Sequence, residues 1–269
     1  MMSRRRFLSV LGVVLVVSLA LVGTASAVTN GQPDGEEHPY VGLLLFTDGT
    51  SYWRCSGSLL SPTVVLTAGH CTDGATQAWV TFDTHVERGT LPIADFLASG
   101  PFITGTAHTY PGFCIGCGQG LVRFDTGDVG IVVLDEAAPV TEFAALPESG
   151  LVDTLAMRTP VDIVGYGVQQ RAVGGGQPVW LGTLTRYYAP SQLVASQDRI
   201  SDEYIKLTAN PAQGKGGTCF GDSGGPDLLG GTNIVLGVNS FVTNGNCAGV
   251  TYSNRIDVQY ALDWIGGFL

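Results

Sequence analysis

The sequence predicts an all-β fold, a barrel or sandwich of antiparallel strands, closed by one helix at the C-terminus. From Pro39 onward, short β-branched or aromatic-rich runs alternate with Gly, Pro, Asn, Asp and Ser. Such runs are too short for helices and read as strands joined by turns. Glycine supplies 38 of the 269 residues, which suits many tight bends. Only the end of the chain repeats apolar residues at helical spacing, through Ile256, Tyr260, Ala261, Trp264, Ile265 and Phe268. Many strands with one terminal helix fit barrels or sandwiches.

The elements follow in chain order. Residues 1–27 form an export signal: Arg4, Arg5 and Arg6, then the apolar run 7–22, then Ala25, Ser26 and Ala27 as a small-residue cleavage site. The arginines also resemble a twin-arginine signal, so the general secretory and twin-arginine routes both stay open. A membrane anchor is the competing reading of the run, which is slightly short for a span. Strands are expected at 40–46, 64–68, 79–82 and 129–134, then at 161–164, 179–184, 204–207 and 234–241. Residues 111–120 read as a loop holding Cys114 and Cys117, 137–150 as a connector between halves, and 169–178 as a glycine-rich loop. Asp257 is the expected cap of the terminal helix.

Composition excludes several classes. Hydrophobic residues make up 45% of the chain and charged residues 13%, which argues against disorder. Lys and Arg number 13 against 23 Asp and Glu, a net charge of −10. Nucleic acid is therefore not an expected partner, since phosphate binding needs clustered cations. The mature protein is expected to be secreted and extracellular, off the membrane, where its six cysteines can oxidise.

Three segments carry chemistry. Thr67-Ala68-Gly69-His70-Cys71 follows an apolar strand, Asp128 opens the buried run 129–134, and Gly221-Asp222-Ser223-Gly224-Gly225-Pro226 holds a serine among glycines. Alone, each has a structural explanation. Together they meet the needs of acyl transfer, in which an imidazole takes the proton of a weak alcohol nucleophile. A buried carboxylate then holds the imidazole in the required tautomer. Asp125 is a rival for that carboxylate, but no apolar strand follows it directly.

These motifs resemble the secreted serine peptidases of the chymotrypsin/trypsin family over nearly all of residues 28–269. The resemblance implies two packed six-stranded antiparallel β-barrels with a C-terminal α-helix. The barrel at 28–145 would carry His70 and Asp128, and the barrel at 146–269 would carry Ser223. It implies His70 as general base, Asp128 as its orienting acid, Ser223 as nucleophile, and the N–H groups of Gly221 and Ser223 as oxyanion hole. It pairs Cys55 with Cys71 and Cys219 with Cys247, leaving Cys114 and Cys117 to each other. A redox role for Cys114 and Cys117 is the rival there, though no βαβ pattern surrounds them. Zinc is not expected.

By the same resemblance Gly217 is the floor of the pocket for the residue before the cut, with no acid to receive Arg or Lys. Ser240, Phe241 and Val242 line its edge, and Ser240 would bond Asp128. Val250 or Thr251 forms the opposite wall. Two bulky walls imply small aliphatic substrates, as in elastase-like members; an open pocket over Gly217 would admit large apolar ones. Val28 resembles the mature first residue, whose ammonium would pair with Asp222. The implied protein is a monomeric, cofactor-free endopeptidase acting on polypeptides, with proteinaceous inhibitors as further partners. A catalytically inactive member kept as a binding protein is the alternative.

Overall fold

The structure is a computed structural model, and it describes residues 28–29, 31–118, 124–168, 170–172, 179–181, 183–195 and 202–269. The expected signal at 1–27 and much of the expected loop at 169–178 lie outside the described residues.

Twelve strands make two closed antiparallel barrels. The first contains β1 (Val41–Thr47), β2 (Tyr52–Ser61), β3 (Val64–Thr67), β4 (Gln77–Thr81), β5 (Ile103–Thr109) and β6 (Gly130–Leu134). They neighbour one another in the order β1-β2-β3-β6-β5-β4, and β4 returns to β1. The second contains β7 (Pro160–Gly165), β8 (Tyr187–Ala195), β9 (Tyr204–Ala209), β10 (Pro226–Leu229), β11 (Val235–Val242) and β12 (Gly249–Arg255). Its order, β7-β8-β9-β12-β11-β10 with β10 closing on β7, repeats the first. Closure removes the exposed edges that would otherwise pair with other chains.

Both barrels are filled by their own side chains. Strand β1 buries all seven residues, and Leu43, Leu44 and Phe46 are fully enclosed. One core cluster runs from these residues into the second barrel through Val164, Tyr166, Leu228 and Val238, so the barrels share a packed seam. The chain ends cross that seam. Gln32–Pro33 pairs with Tyr187 and Tyr188 of the second barrel. The terminal helix instead meets the first barrel's side, with Trp264 edge-on to Tyr110 and Phe268 against His108.

Among the described residues the four α-helices are short: α1 (Gly69–Thr72), α2 (Ile93–Ser99), α3 (Leu151–Thr154) and α4 (Gln259–Gly266). The sequence predicts only α4, because seven residues burying Phe96 and Leu97 are too few for α2 to display a period. Asp257 is not the cap of α4. Val258 holds that position, while the buried Asp257 carboxylate accepts the Val152 N–H and pairs with Arg255. The run expected at 179–184 is also corrected. Val179–Leu181 pairs with Gln170–Ala172, Leu184 pairs with Val86, and the barrel strand begins at Tyr187. Among the described residues no helix is long and apolar enough to cross a membrane.

Candidate active site

His70 sits in α1, directly after β3, and Asp128 lies just before β6, the strand beside β3. Neighbouring strands therefore bring together two residues that are far apart in the chain. Glycines make the approach possible: a Cβ at Gly130 would lie 2.5 Å from the Ala68 carbonyl, and one at Gly69 would lie 3.1 Å from the Val129 nitrogen. Asp128 is fully buried, and its Oδ2 lies 2.9 Å from His70 Nδ1. The His70 backbone N–H donates to Asp128 Oδ1 at 2.8 Å, and the Ser240 hydroxyl donates to Oδ2. Asn254, which no motif marks, accepts the Asp128 N–H at 3.1 Å. Asp125 instead accepts the Gly116 N–H at 2.7 Å, within the loop closed by Cys114 and Cys117.

Burial works to lower the basicity of His70, but the charge and hydrogen bond of Asp128, with help from Asp125, more than offset it. The imidazole is left above its ordinary value. Burial likewise disfavours the charged Asp128, yet His70, Ser240 and the His70 N–H hold that carboxyl below the usual range. The pair is arranged to stabilise an imidazolium.

Ser223 lies on the turn before β10 and is half-buried. Its carbonyl accepts the Ser56 N–H at 2.8 Å. Gly224 has φ +76°, and a Cβ there would lie 2.0 Å from Thr67 Oγ1 and 2.7 Å from the Ala68 nitrogen. Only glycine lets the serine turn rest on the segment that leads into His70. Gly221 is also left-handed, with φ +97°, and its carbonyl accepts the Ser56 hydroxyl at 2.9 Å.

Asp222 is fully buried. Burial pushes its carboxyl up to about 7, against the N–H groups of Cys219 at 2.9 Å and Gly167 at 2.8 Å and the charge of Arg54. Val28 is fully enclosed in the second barrel's apolar cluster. The next residue, Thr29, exchanges backbone hydrogen bonds with Gly217, two residues before Cys219.

A Cβ at Gly217 would lie 2.2 Å from Ala209 Cβ and 3.1 Å from Thr251 Cγ2. Thr251 is buried and directly opposite Val242 across β11 and β12. Gly217, Val242 and Thr251 therefore come together. Val250 packs elsewhere, with Phe124, Tyr204 and Tyr252, and Phe241 stacks on Tyr252 at a centroid distance of 4.8 Å. This aromatic cluster escaped the sequence reading because its members come from a loop and three separate strands.

The three disulfides are Cys55–Cys71, Cys114–Cys117 and Cys219–Cys247, as the resemblance implied. Among the described residues, the grouping Cys55, His70 and Cys71 has metal-ligand types within reach of one another. Both sulfurs are spent in a disulfide and offer no thiolate, so the donor set does not suit zinc.

The family model described as Trypsin matches residues 28–265. Brachyurin of Leptuca pugilator is 30% identical over 247 residues, covering 91% of this chain and 96% of its own length. Chymotrypsin-like elastase family member 1 of Bos taurus is 28% identical over 76% of this chain and 74% of its own. A solved structure titled HL collagenase superposes with a TM-score of 0.66 at 19% identity, covering 92% of this chain and 98% of that one. Human heparin binding protein superposes with a TM-score of 0.58, also at 19% identity, over 88% of this chain and 94% of its own. At that identity the two structures speak for the fold alone.

Proposed function

The chain belongs to the trypsin family of serine proteases, and on that premise we propose that it is a secreted endopeptidase using His70, Asp128 and Ser223 as its catalytic triad. The single observation supporting this most is the Asp128 carboxylate, buried and held by Ser240 while bonded to both the ring and the backbone N–H of His70. Ser223 Oγ attacks the scissile carbonyl as His70 takes its proton, and the tetrahedral oxyanion is held by the N–H groups of Gly221 and Ser223. His70 returns the proton to the leaving amine. Water then enters, His70 activates it, and the ester on Ser223 is hydrolysed. The barrel carrying Ser223, at 146–269, and the barrel carrying His70 and Asp128, at 28–145, bind the substrate between them.

The residue before the cut is small and aliphatic. Val242 and Thr251 face each other beside Gly217 and leave little room for a ring. The competing preference for large apolar residues would need that space open. An inactive binding role is weakened by the presence of every triad member. A covalent serine-reactive probe should label the mature protein and not Ser223→Ala. A peptide-library profile should then show cleavage after Ala or Val. Absence of labelling would overturn the enzymatic reading, and cleavage after Arg or Lys would overturn the pocket.

A further inference from the structure

Beside the serine turn lies a groove of about 350 Å³ that the reaction itself does not use. Leu45, Trp53 and Phe96 wall it with apolar surface, Leu184 from the second barrel's half closes it, and Arg54 and Arg88 sit at its margin. Arg54 abuts the turn: a Cβ at Gly221 would lie 2.7 Å from its Nε. Arg54 is half-buried and its guanidinium makes no hydrogen bond or ion pair with any described residue, although Asp222 attracts it electrostatically. Burial pulls its basicity down, which marks an undercompensated cation. Arg88 donates from Nε to the Leu91 carbonyl at 3.0 Å and is otherwise exposed. A guanidinium left short of partners favours a carboxylate, which it can bind through two parallel N–H groups.

The groove lies on one definite side of the cut. Gly217, Val242 and Thr251 receive the residue before it, and all belong to the second barrel. His70 must hand its proton to the leaving amine, so the leaving segment lies on the His70 side. Arg54 immediately precedes Cys55, whose disulfide partner Cys71 immediately follows His70. The two arginines therefore border the path of the leaving segment, as local positive charge on a chain of net charge −10.

We propose that this groove binds the leaving segment of the substrate through an Asp or Glu side chain placed against Arg54 and Arg88, one to three residues after the cut. The neighbouring apolar walls take a hydrophobic side chain of the same segment. The inference rests on the peptidase reading above and names the substrate class of that site.

The test uses the mature protein and fluorogenic peptides identical before the cut, amidated at the C-terminus, with Glu, Gln or Lys at each of the first three leaving positions. At one position, kcat/KM for Glu should exceed that for Gln by about tenfold at low ionic strength, with Lys lowest. Raising the salt should shrink the ratio by screening. Arg54→Met and Arg88→Met should each bring the Glu:Gln ratio towards one, and Arg54→Lys should restore part of it. Because the ratio is taken within each variant, any disturbance of the adjacent serine turn cancels. An active wild-type enzyme with no Glu preference, or a preference surviving both Met substitutions, overturns the groove and leaves the triad reading intact. A preference seen only with a free C-terminal carboxylate also overturns it. Failure to cleave any peptide or to react with the serine probe overturns both.

Discussion

Both oxygens of Asp128 face His70, and that one contact sets how the protein should respond to pH. The carboxylate holds the imidazole above its ordinary value of 6.5, while only the neutral ring can accept the Ser223 proton. Below the raised value His70 is charged and cannot act as base. kcat/KM should therefore climb as pH rises through a midpoint above 6.5, and a maximum near pH 4 would contradict the assignment. Asp128→Asn keeps the shape but favours the wrong tautomer, a change worth about four orders of magnitude in kcat for the template triad. At the pocket, Val242→Gly removes one wall opposite Thr251. Activity on Leu or Phe substrates should rise relative to Ala substrates by tens-fold, since a methylene or two is worth about 1–3 kcal/mol in an apolar pocket. An unchanged ratio would place the obstruction elsewhere.

At the scale of elements, a strand was legible in the sequence where it was continuously apolar and obscure where a barrel hides polar side chains. The runs around β1, β3, β6, β7 and β11 stand out for that reason. Strand β2 does not, because its centre is Ser56, Gly57 and Ser58, all enclosed; a Cβ at Gly57 would lie 2.7 Å from the Leu66 carbonyl. Strand β12 hides Thr251, Ser253, Asn254 and Arg255 in the same way. The proposed triad was legible through its local motifs, whereas Asn254 and Arg54 acquire meaning only across strands. Strand β10 carries the most costly of these hidden groups. Asp227 is fully enclosed and neither of its oxygens makes a hydrogen bond. Burial pushes its carboxyl up to about 8, reinforced by the charge of Asp222. An acid raised in the folded state binds its proton more tightly there than in the unfolded chain. Its contribution is therefore complete below about 3.8 and is lost as pH rises towards 8. Asp227→Asn should remove that dependence, so the Tm of the variant minus that of the wild type should grow between pH 5 and 8. A difference that stays constant with pH would show that Asp227 does not titrate in this window.

Across the whole molecule, the segment beginning at Val28 and the turn that holds Ser223 are linked through the second barrel. Val28 is enclosed there, Thr29 is bonded to Gly217, and Gly217 leads through Cys219 to the buried Asp222. The elevation of Asp222 to about 7 shows that two N–H groups and the attraction of Arg54 do not fully compensate its charge. We propose that a free ammonium on Val28 completes the compensation, whereas a peptide bond to Ala27 puts no charge at that point. Leaving one member of a buried ion pair uncompensated costs on the order of 3–5 kcal/mol, enough to shift the turn that holds Gly221 and Ser223. We therefore expect cleavage between Ala27 and Val28 to switch the enzyme on, with export and activation accomplished by the same cut. A protein beginning at Val28 should turn over peptides and react with a serine probe. One beginning at Ser26, or carrying an uncleaved N-terminal tag, should bind substrate poorly and react slowly while keeping the same fold by circular dichroism. Activity of the Val28 form should also fall at high pH as its α-amino group, normally titrating near about 8, loses its proton from a value raised by Asp222. Full activity in the Ser26 form, or no decline in the Val28 form as that amine deprotonates, would show that Asp222 is balanced by Arg54 and its N–H partners alone.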